Sequence, residues 1–254
     1  MKYLLFSGLL LCLTLPALAK QPAREAIHDI YYLQDQRSLG DERLFRHLHD
    51  ARPEVALRAA IAFGNIQDTS QAVVEQLGAA LLDAGPDVAK AIAFALGQLG
   101  PNRSVEQAID RGLEKREEPG VRSELLESLG KIGGEASLRE VAAEFKMMSD
   151  SLIDGGTALG IARFGLRGIK NREATAVIAR LAHHEHPAVR SQAAYAFWRI
   201  GDPELLKEHG DTIIKLASDP AADVRMFAVN ALARLEDSEK VTYALLACFM
   251  HKLT

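Results

Sequence analysis

Residues 183–186, His-His-Glu-His, are the densest run of metal-ligand side chains in the chain, and His47, His49 and Asp50 form a second. Imidazole and carboxylate groups suit zinc and its neighbours, provided that three or four donors converge on one point. Side chains one or two positions apart on a helix point in different directions, so either run would serve only where a turn folds back on itself. His183, His184 and His186 are therefore weak metal candidates. Both runs sit where a helix is expected to end, and imidazole capping at the negative end of the dipole is the expectation for them. Five glycines (Gly155, Gly156, Gly160, Gly165 and Gly168) crowd the stretch SLIDGGTALGIARFGLRGIKNREAT, residues 151–175. A phosphate cradle would need Gly-x-Gly-x-x-Gly after a strand or a Gly-Lys-Ser/Thr ending, and neither is there. No Gly-x-Ser-x-Gly elbow, His-Glu-x-x-His pair or cysteine cluster occurs, so nucleophilic, zinc-protease and clustered-thiolate chemistry have no foothold. No catalytic residue and no cofactor is expected.

The elements that hold these residues begin with a segment to be removed. Residues 1–19 place Lys2 before an apolar run from Tyr3 to Leu15, followed by Pro16 and the small-x-small ending Ala17-Leu18-Ala19. That order reads as a secretory signal cut after Ala19, which puts the protein in the periplasm or outside the cell. No later stretch is long and apolar enough to span a membrane. Cleavage takes one of the 30 basic residues and none of the 34 acidic ones, leaving a net charge of −5. Nucleic-acid binders are normally basic, so none is expected as a partner. Cys248 is then the one cysteine left, no intramolecular disulfide can form, and packing must carry stability.

The remainder repeats itself. RPEVALRAAIAFGNI from Arg52, GPDVAKAIAFALGQL from Gly85, EPGVRSELLESLGKI from Glu118 and HPAVRSQAAYAFWRI from His186 align on Val55, Val88, Val121 and Val189, and ADVRMFAVNALARL adds Val224. Counting from that valine, positions +4, +5, +7, +8 and +11 are apolar or small, a helical period with one broad buried stripe. Pro53, Pro86, Pro119 and Pro187 each lie two residues before the valine, where a missing N–H costs nothing in a helix's first turn. A second amphipathic helix precedes each, carried for example by Val73, Val74 and Leu77 or by Val177, Ile178 and Leu181. Two helices of this length cannot bury their apolar faces alone, so the units must stack on one another.

These units, with an acid, a proline and Val-Arg before an Ala-rich helix ending in Leu-Gly-x-Ile, resemble HEAT repeats, particularly the short bacterial kind of bilin-lyase-type proteins. The resemblance implies an all-α, right-handed α-solenoid of about six two-helix repeats. The domains expected are the signal at 1–19, a capping helix at 20–37, the array at 38–237 and an incomplete seventh unit at 238–254, as in a shortened chain. Trp198 and Ala233 stand where Gly64, Gly97 and Gly130 set the pattern. Placing Ile153 in the valine column makes the glycine-rich stretch the second helix of unit four, capped by Asp150 or Ser149 and weakest of the six, with close helix approach as the reason for its glycines.

In HEAT arrays the second helices line the concave side, and the outward positions are then +3, +6 and +10. Position +10 runs Asn65, Gln98, Lys131, Arg163, Arg199 and Arg234, basic in its second half. With Phe94, Tyr195, Phe227 and Asn230 beside it, this face suits an acidic or aromatic protein or peptide segment, because aromatic and arginine side chains dominate binding hot spots. Gly156 would leave room beneath that segment. The competing expectation pairs the ladder with Glu124, Glu127 and other acids as an ordinary solvated face. Arg122, Arg190 and Arg225 are expected to tie turns to neighbouring units, Arg167, Lys170 and Arg172 to be solubilising, and Trp198 to fill a helix interface. The reading is an exported, non-catalytic scaffold. The alternatives are the non-catalytic array of a larger peptidyl-prolyl isomerase, as some exported bacterial HEAT arrays precede a cyclophilin-type domain, or a lyase-like protein handling a cofactor.

Overall fold

Proline decides where four of the second helices begin. Pro53, Pro86, Pro119 and Pro187 are each the first residue of a helix, where the ring's fixed φ suits the turn and its lack of an N–H leaves nothing unsatisfied. The computed structural model describes residues 22–145, 150–235 and 241–242, so the proposed signal and most of the proposed seventh unit, Cys248 included, lie outside the described residues. The first half of the chain forms α1 (Ala23–Asp35), α2 (Arg43–Leu48), α3 (Pro53–Ile66), α4 (Gln71–Asp83), α5 (Pro86–Gln98), α6 (Arg103–Lys115) and α7 (Pro119–Ile132). The second half forms α8 (Glu135–Glu144), α9 (Ser151–Leu166), α10 (Arg172–Leu181), α11 (Pro187–Ile200), α12 (Pro203–Lys207), α13 (Gly210–Leu216) and α14 (Ala222–Leu232). No strand occurs among the described residues.

The helices α1, α3, α5, α7, α9, α11 and α14 form one continuous row, each packed on the next, and α2, α4, α6, α8, α10 and α13 each pack on the second helix of their own unit. Among the described residues the architecture is therefore the expected all-α solenoid, with six two-helix units and α1 covering the exposed side of α3. Val55, Val88, Val121, Val189 and Val224 are all buried. So are Phe63 and Phe197 at position +8, each fully enclosed and contributing about 2 kcal/mol or more by leaving water. Unit six departs from the pattern, because its first helix is broken into α12 and α13 around Glu208 and His209.

The glycine-rich stretch is α9, as its column alignment predicts, and Asp150 is the cap, its side chain accepting the Leu152 N–H at 2.8 Å. Its glycines mark the tightest seams of the row. A methyl at Gly156 would stand 2.5 Å from Ser123 Cα, and one at Gly160 would stand 2.6 Å from the Leu126 carbonyl oxygen. One at Gly165 would stand 2.9 Å from the Arg199 carbonyl carbon. Gly156 therefore leaves no room for a ligand: the backbone of α7 fills that space, and the expectation of a gap beneath a bound segment is corrected.

Candidate partner-binding face

Two junctions in the middle of the row are linked alike: position +10 of one unit reaches position +6 of the unit before. Lys131 Nζ lies 5.1 Å above the Phe94 ring. Arg163 gives Nε and Nη2 to Glu127 Oε1 at 3.1 and 2.7 Å. Lys131 also approaches Glu127 Oε1 at 3.4 Å and Glu124 Oε1 at 3.7 Å. Burial pushes the Glu127 carboxyl up, but Arg163 and Lys131 outweigh it and hold the group below its ordinary value. Glu124, with Lys131 only partly opposing its burial, stays raised. This half of the basic ladder is thus internally compensated, as the competing expectation has it.

Arg199 does not repeat this link, for a local reason. The same step back leads to Leu159, which offers no acceptor. The guanidinium instead lies 3.8 Å from the centre of the Trp198 ring and 4.8 Å from that of Tyr195, and its buried Nε has no hydrogen-bond partner. Trp198 occupies the column of Gly64, Gly97 and Gly130, too crowded for an indole. The half-buried ring packs on α14, centroid 6.0 Å from Phe227, while Tyr195 meets Phe227 edge-on at 5.1 Å. Three rings and one guanidinium thus form a single cluster bridging α11 and α14. Cation–π contact of this kind is worth about 0.5–2 kcal/mol, depending on desolvation.

The expected site residues separate into groups. Phe94, Lys131 and Arg163 belong to the compensated half; Tyr195, Arg199 and Phe227 come together with Trp198. Asn230 turns back onto its own helix, Nδ2 donating to the Met226 carbonyl at 2.9 Å. Arg234 lies beyond the end of α14 and is exposed.

On the edge where first helices turn into second ones, arginine does structural work. Arg190 gives a bidentate pair to Asp219 of the next unit at 2.7 and 3.0 Å and bonds the His184 and Glu185 carbonyls. Arg225 bonds the Asp219 and Pro220 carbonyls, and Arg122 those of Leu113 and Arg116. The tying role expected for these three is what the contacts describe. The solubilising role is corrected for two of the three: Arg167 clamps the Gly130 and Gly133 carbonyls at the end of α7, and Lys170 pairs with Asp202 at 3.1 Å. Arg172, with a side chain 71% exposed, meets Glu208 at 2.8 Å on the surface, which leaves its solvated role standing.

The histidine runs sit at the ends of α2 and α10, but their rings bond side chains and a turn N–H instead of capping carbonyls. His47 Nε2 meets Asp29 at 2.9 Å and His49 Nε2 meets Gln76 at 3.0 Å. His184 Nδ1 accepts the His186 N–H at 3.0 Å, which places the ring proton on Nε2, 3.4 Å from the carboxylate of Asp154. Among the described residues no three His, Cys, Asp or Glu side chains come together to hold a metal. Asp154 and Arg116 were not foreseen as important, although Asp154 stands in the column of Arg122, Arg190 and Arg225 and that departure was visible.

Stacked helix pairs with a continuous second-helix row define an α-solenoid. Within that class the chain belongs to the HEAT repeats, whose family pattern matches residues 74–146 and 176–252. No curated protein matches it. Among solved structures it is similar to the complex of CpcE and CpcF of phycocyanin lyase from Nostoc sp. PCC7120, with a TM-score of 0.53 and 17% identity over 83% of this chain and 95% of that one. An engineered protein gives a TM-score of 0.50 and 20% identity over 89% and 67%. At these identities the likeness is one of fold.

Proposed function

We propose that the protein is an exported, non-catalytic scaffold that holds a protein or peptide segment across α11 and α14. The observation that carries this reading is Arg199, a guanidinium fixed between Tyr195 and Trp198 that has no acid to answer it among the described residues, in a row where Lys131 and Arg163 do have one. A desolvated cation flanked by aromatic rings is the composition of a binding hot spot. It calls for a segment that brings a carboxylate to the guanidinium and apolar surface to Phe227. Export rests on the N-terminal sequence, and the array lends itself to holding a partner because a solenoid leaves a long row of outward side chains uncovered.

The test starts from capture in the exported fraction, with the partner identified by mass spectrometry and its affinity then measured against purified variants. Arg199→Ala and Phe227→Ala should each weaken binding by about tenfold or more, while Lys131→Ala, whose charge is already met by Glu124 and Glu127, should change it little. Unchanged affinity in the first two overturns the reading. Mature protein whose first residue is not Lys20 overturns the export step as drawn.

A further inference from the structure

The turn edge of the array has a register of its own, counted from the column valine of each unit. In three units the residue one place after that valine donates to the carbonyl five places before it: Arg122 to Arg116 at 3.1 Å, Arg190 to His184 at 2.9 Å and Arg225 to Asp219 at 2.7 Å. Arg190 and Arg225 also take the next carbonyl, that of Glu185 and of Pro220. Arg190 then crosses to the following unit, where the Asp219 carboxylate, five places before Val224, accepts it at 2.7 and 3.0 Å. Unit two has Ala89 in the arginine column, and Arg116 serves its turn from unit three, donating to the Leu81, Leu82 and Ala84 carbonyls. Unit four has Asp154 there, and its turn runs outside the described residues.

In unit one the column holds Ala56, and a cavity of about 310 Å³ is lined by Ala56 and by Asp83, the residue five places before Val88. Asp83 thus stands to Ala56 as Asp219 stands to Arg190. The Asp50 and Ala51 carbonyls, which correspond to those of His184 and Glu185, accept no hydrogen bond from the described residues. The other polar groups of the wall have partners: Arg52 bonds the Asp50 carboxylate at 2.8 and 2.6 Å, and the one imidazole, His49, meets Gln76. The exposed Asp83 carboxylate meets no cation among the described residues. Most of the remaining lining is small and apolar, Ala79, Ala80 and Val88 included, which suits the methylene stem of a long side chain. Ala56 therefore leaves both a volume and the acceptors that an arginine uses elsewhere in the same array.

We propose that the cavity between units one and two receives the arginine side chain of a partner peptide, which donates to the Asp83 carboxylate and to the Asp50 and Ala51 carbonyls as Arg190 does between units five and six. The guanidinium is specified by its fork of N–H donors, which one ammonium group does not reproduce. The cavity lies on the turn edge, away from Arg199, so the inference does not rest on the aromatic face. The probe is Nα-acetyl-argininamide, titrated into the full chain and followed by NMR, with Nα-acetyl-citrullinamide as the uncharged isostere and Nα-acetyl-lysinamide as a charge without the fork. The arginine amide should saturate, the citrulline amide should not, and the lysine amide should bind about threefold more weakly or worse. Asp83→Asn, at an exposed position, should weaken the arginine amide about threefold, the scale of an exposed ion pair. Ala56→Arg should abolish binding and melt no lower than wild type, because the chain's own side chain then occupies the cavity. Should that variant fail to fold, Asp83→Asn decides. No saturation by the arginine amide, equal binding of either of the other two amides, unchanged affinity in Asp83→Asn, or binding that survives in a folded Ala56→Arg overturns the proposal.

Discussion

Replacing Gly160 by alanine sets two effects of known size against each other. Alanine is the better helix former by about 1 kcal/mol, so an α9 limited by its own propensity would gain. The new methyl, however, would stand 2.6 Å from the Leu126 carbonyl oxygen of α7, well inside ordinary van der Waals contact. The obstacle is backbone, so no rotamer change relieves it, and α7 and α9 must part by roughly 0.7 Å along a close-packed seam. Overpacking of this kind costs about 1–3 kcal/mol. With no soft atom to yield, the upper end applies, and the net is a loss of about 2 kcal/mol. Gly120 in the first turn of α7 is the control, since nothing lies within 4 Å of a methyl there. The same change should raise stability by about 0.5–1 kcal/mol. At roughly 2–4 °C per kcal/mol for a chain of this size, thermal melts followed by far-ultraviolet circular dichroism should show Gly160→Ala about 4–8 °C below wild type and Gly120→Ala slightly above. A Gly160→Ala protein that melts higher than wild type would show that α9 is limited by helix propensity and refute the close-approach argument.

Further expectations concern charge. Burial, followed by the carboxylates of Glu140, Glu106 and Glu114, pushes Asp110 up to about 6 from 3.8. The folded state then binds its proton more tightly than the unfolded one, and this group lowers stability as pH rises from about 4 to about 6. Asp110→Asn should stabilise by about 1 kcal/mol at pH 7.5, allowing for partial exposure, and by nothing below pH 4; an equal difference in Tm at both pH values would contradict this. Arg190→Ala strands the Asp219 carboxylate, whose side chain is 8% exposed, and should cost about 3 kcal/mol at pH 7. Arg190 holds the Asp219 carboxyl below its ordinary value, so the pair's contribution is complete above pH 4 and disappears as pH falls through that lowered value. A double-mutant cycle with Asp219→Ala checks the coupling, and purely additive losses would rule it out.

The fold was largely legible because it is written in spacing that survives within one unit. Proline two places before a buried valine marks the start of four helices, and the apolar columns that follow give their buried side. Even the glycine-rich stretch, which carries neither the proline nor the valine, fell into place once Ile153 was set in the column and Asp150 replaced the proline as cap. The break between α12 and α13 was less visible, since Leu205, Leu206, Ile213 and Ile214 offer apolar residues on both sides of it and Gly210, the first residue of α13, is its one mark in the sequence.

Function was harder to read because the deciding contacts run between units, about 30 to 37 residues apart. Whether Arg163 is available to a ligand depends on Glu127, 36 residues earlier; whether Arg199 is available depends on Leu159 at the corresponding step. Read alone, both are arginines on an outward column and look alike. The turn edge behaves the same way: Asp154 is an unremarkable acid near a helix start until it is compared with Arg122, Arg190 and Arg225, and until His184 is seen to stand where Asp219 does. A substitution in one repeat therefore changes chemistry in the next, and the informative positions in such an array are those where one column departs from its siblings and the facing column does not restore what was lost. By that criterion Arg199 and Asp154 stand apart from the rest of the array: among the described residues one is a cation without its acid, and the other is an acid in place of a cation.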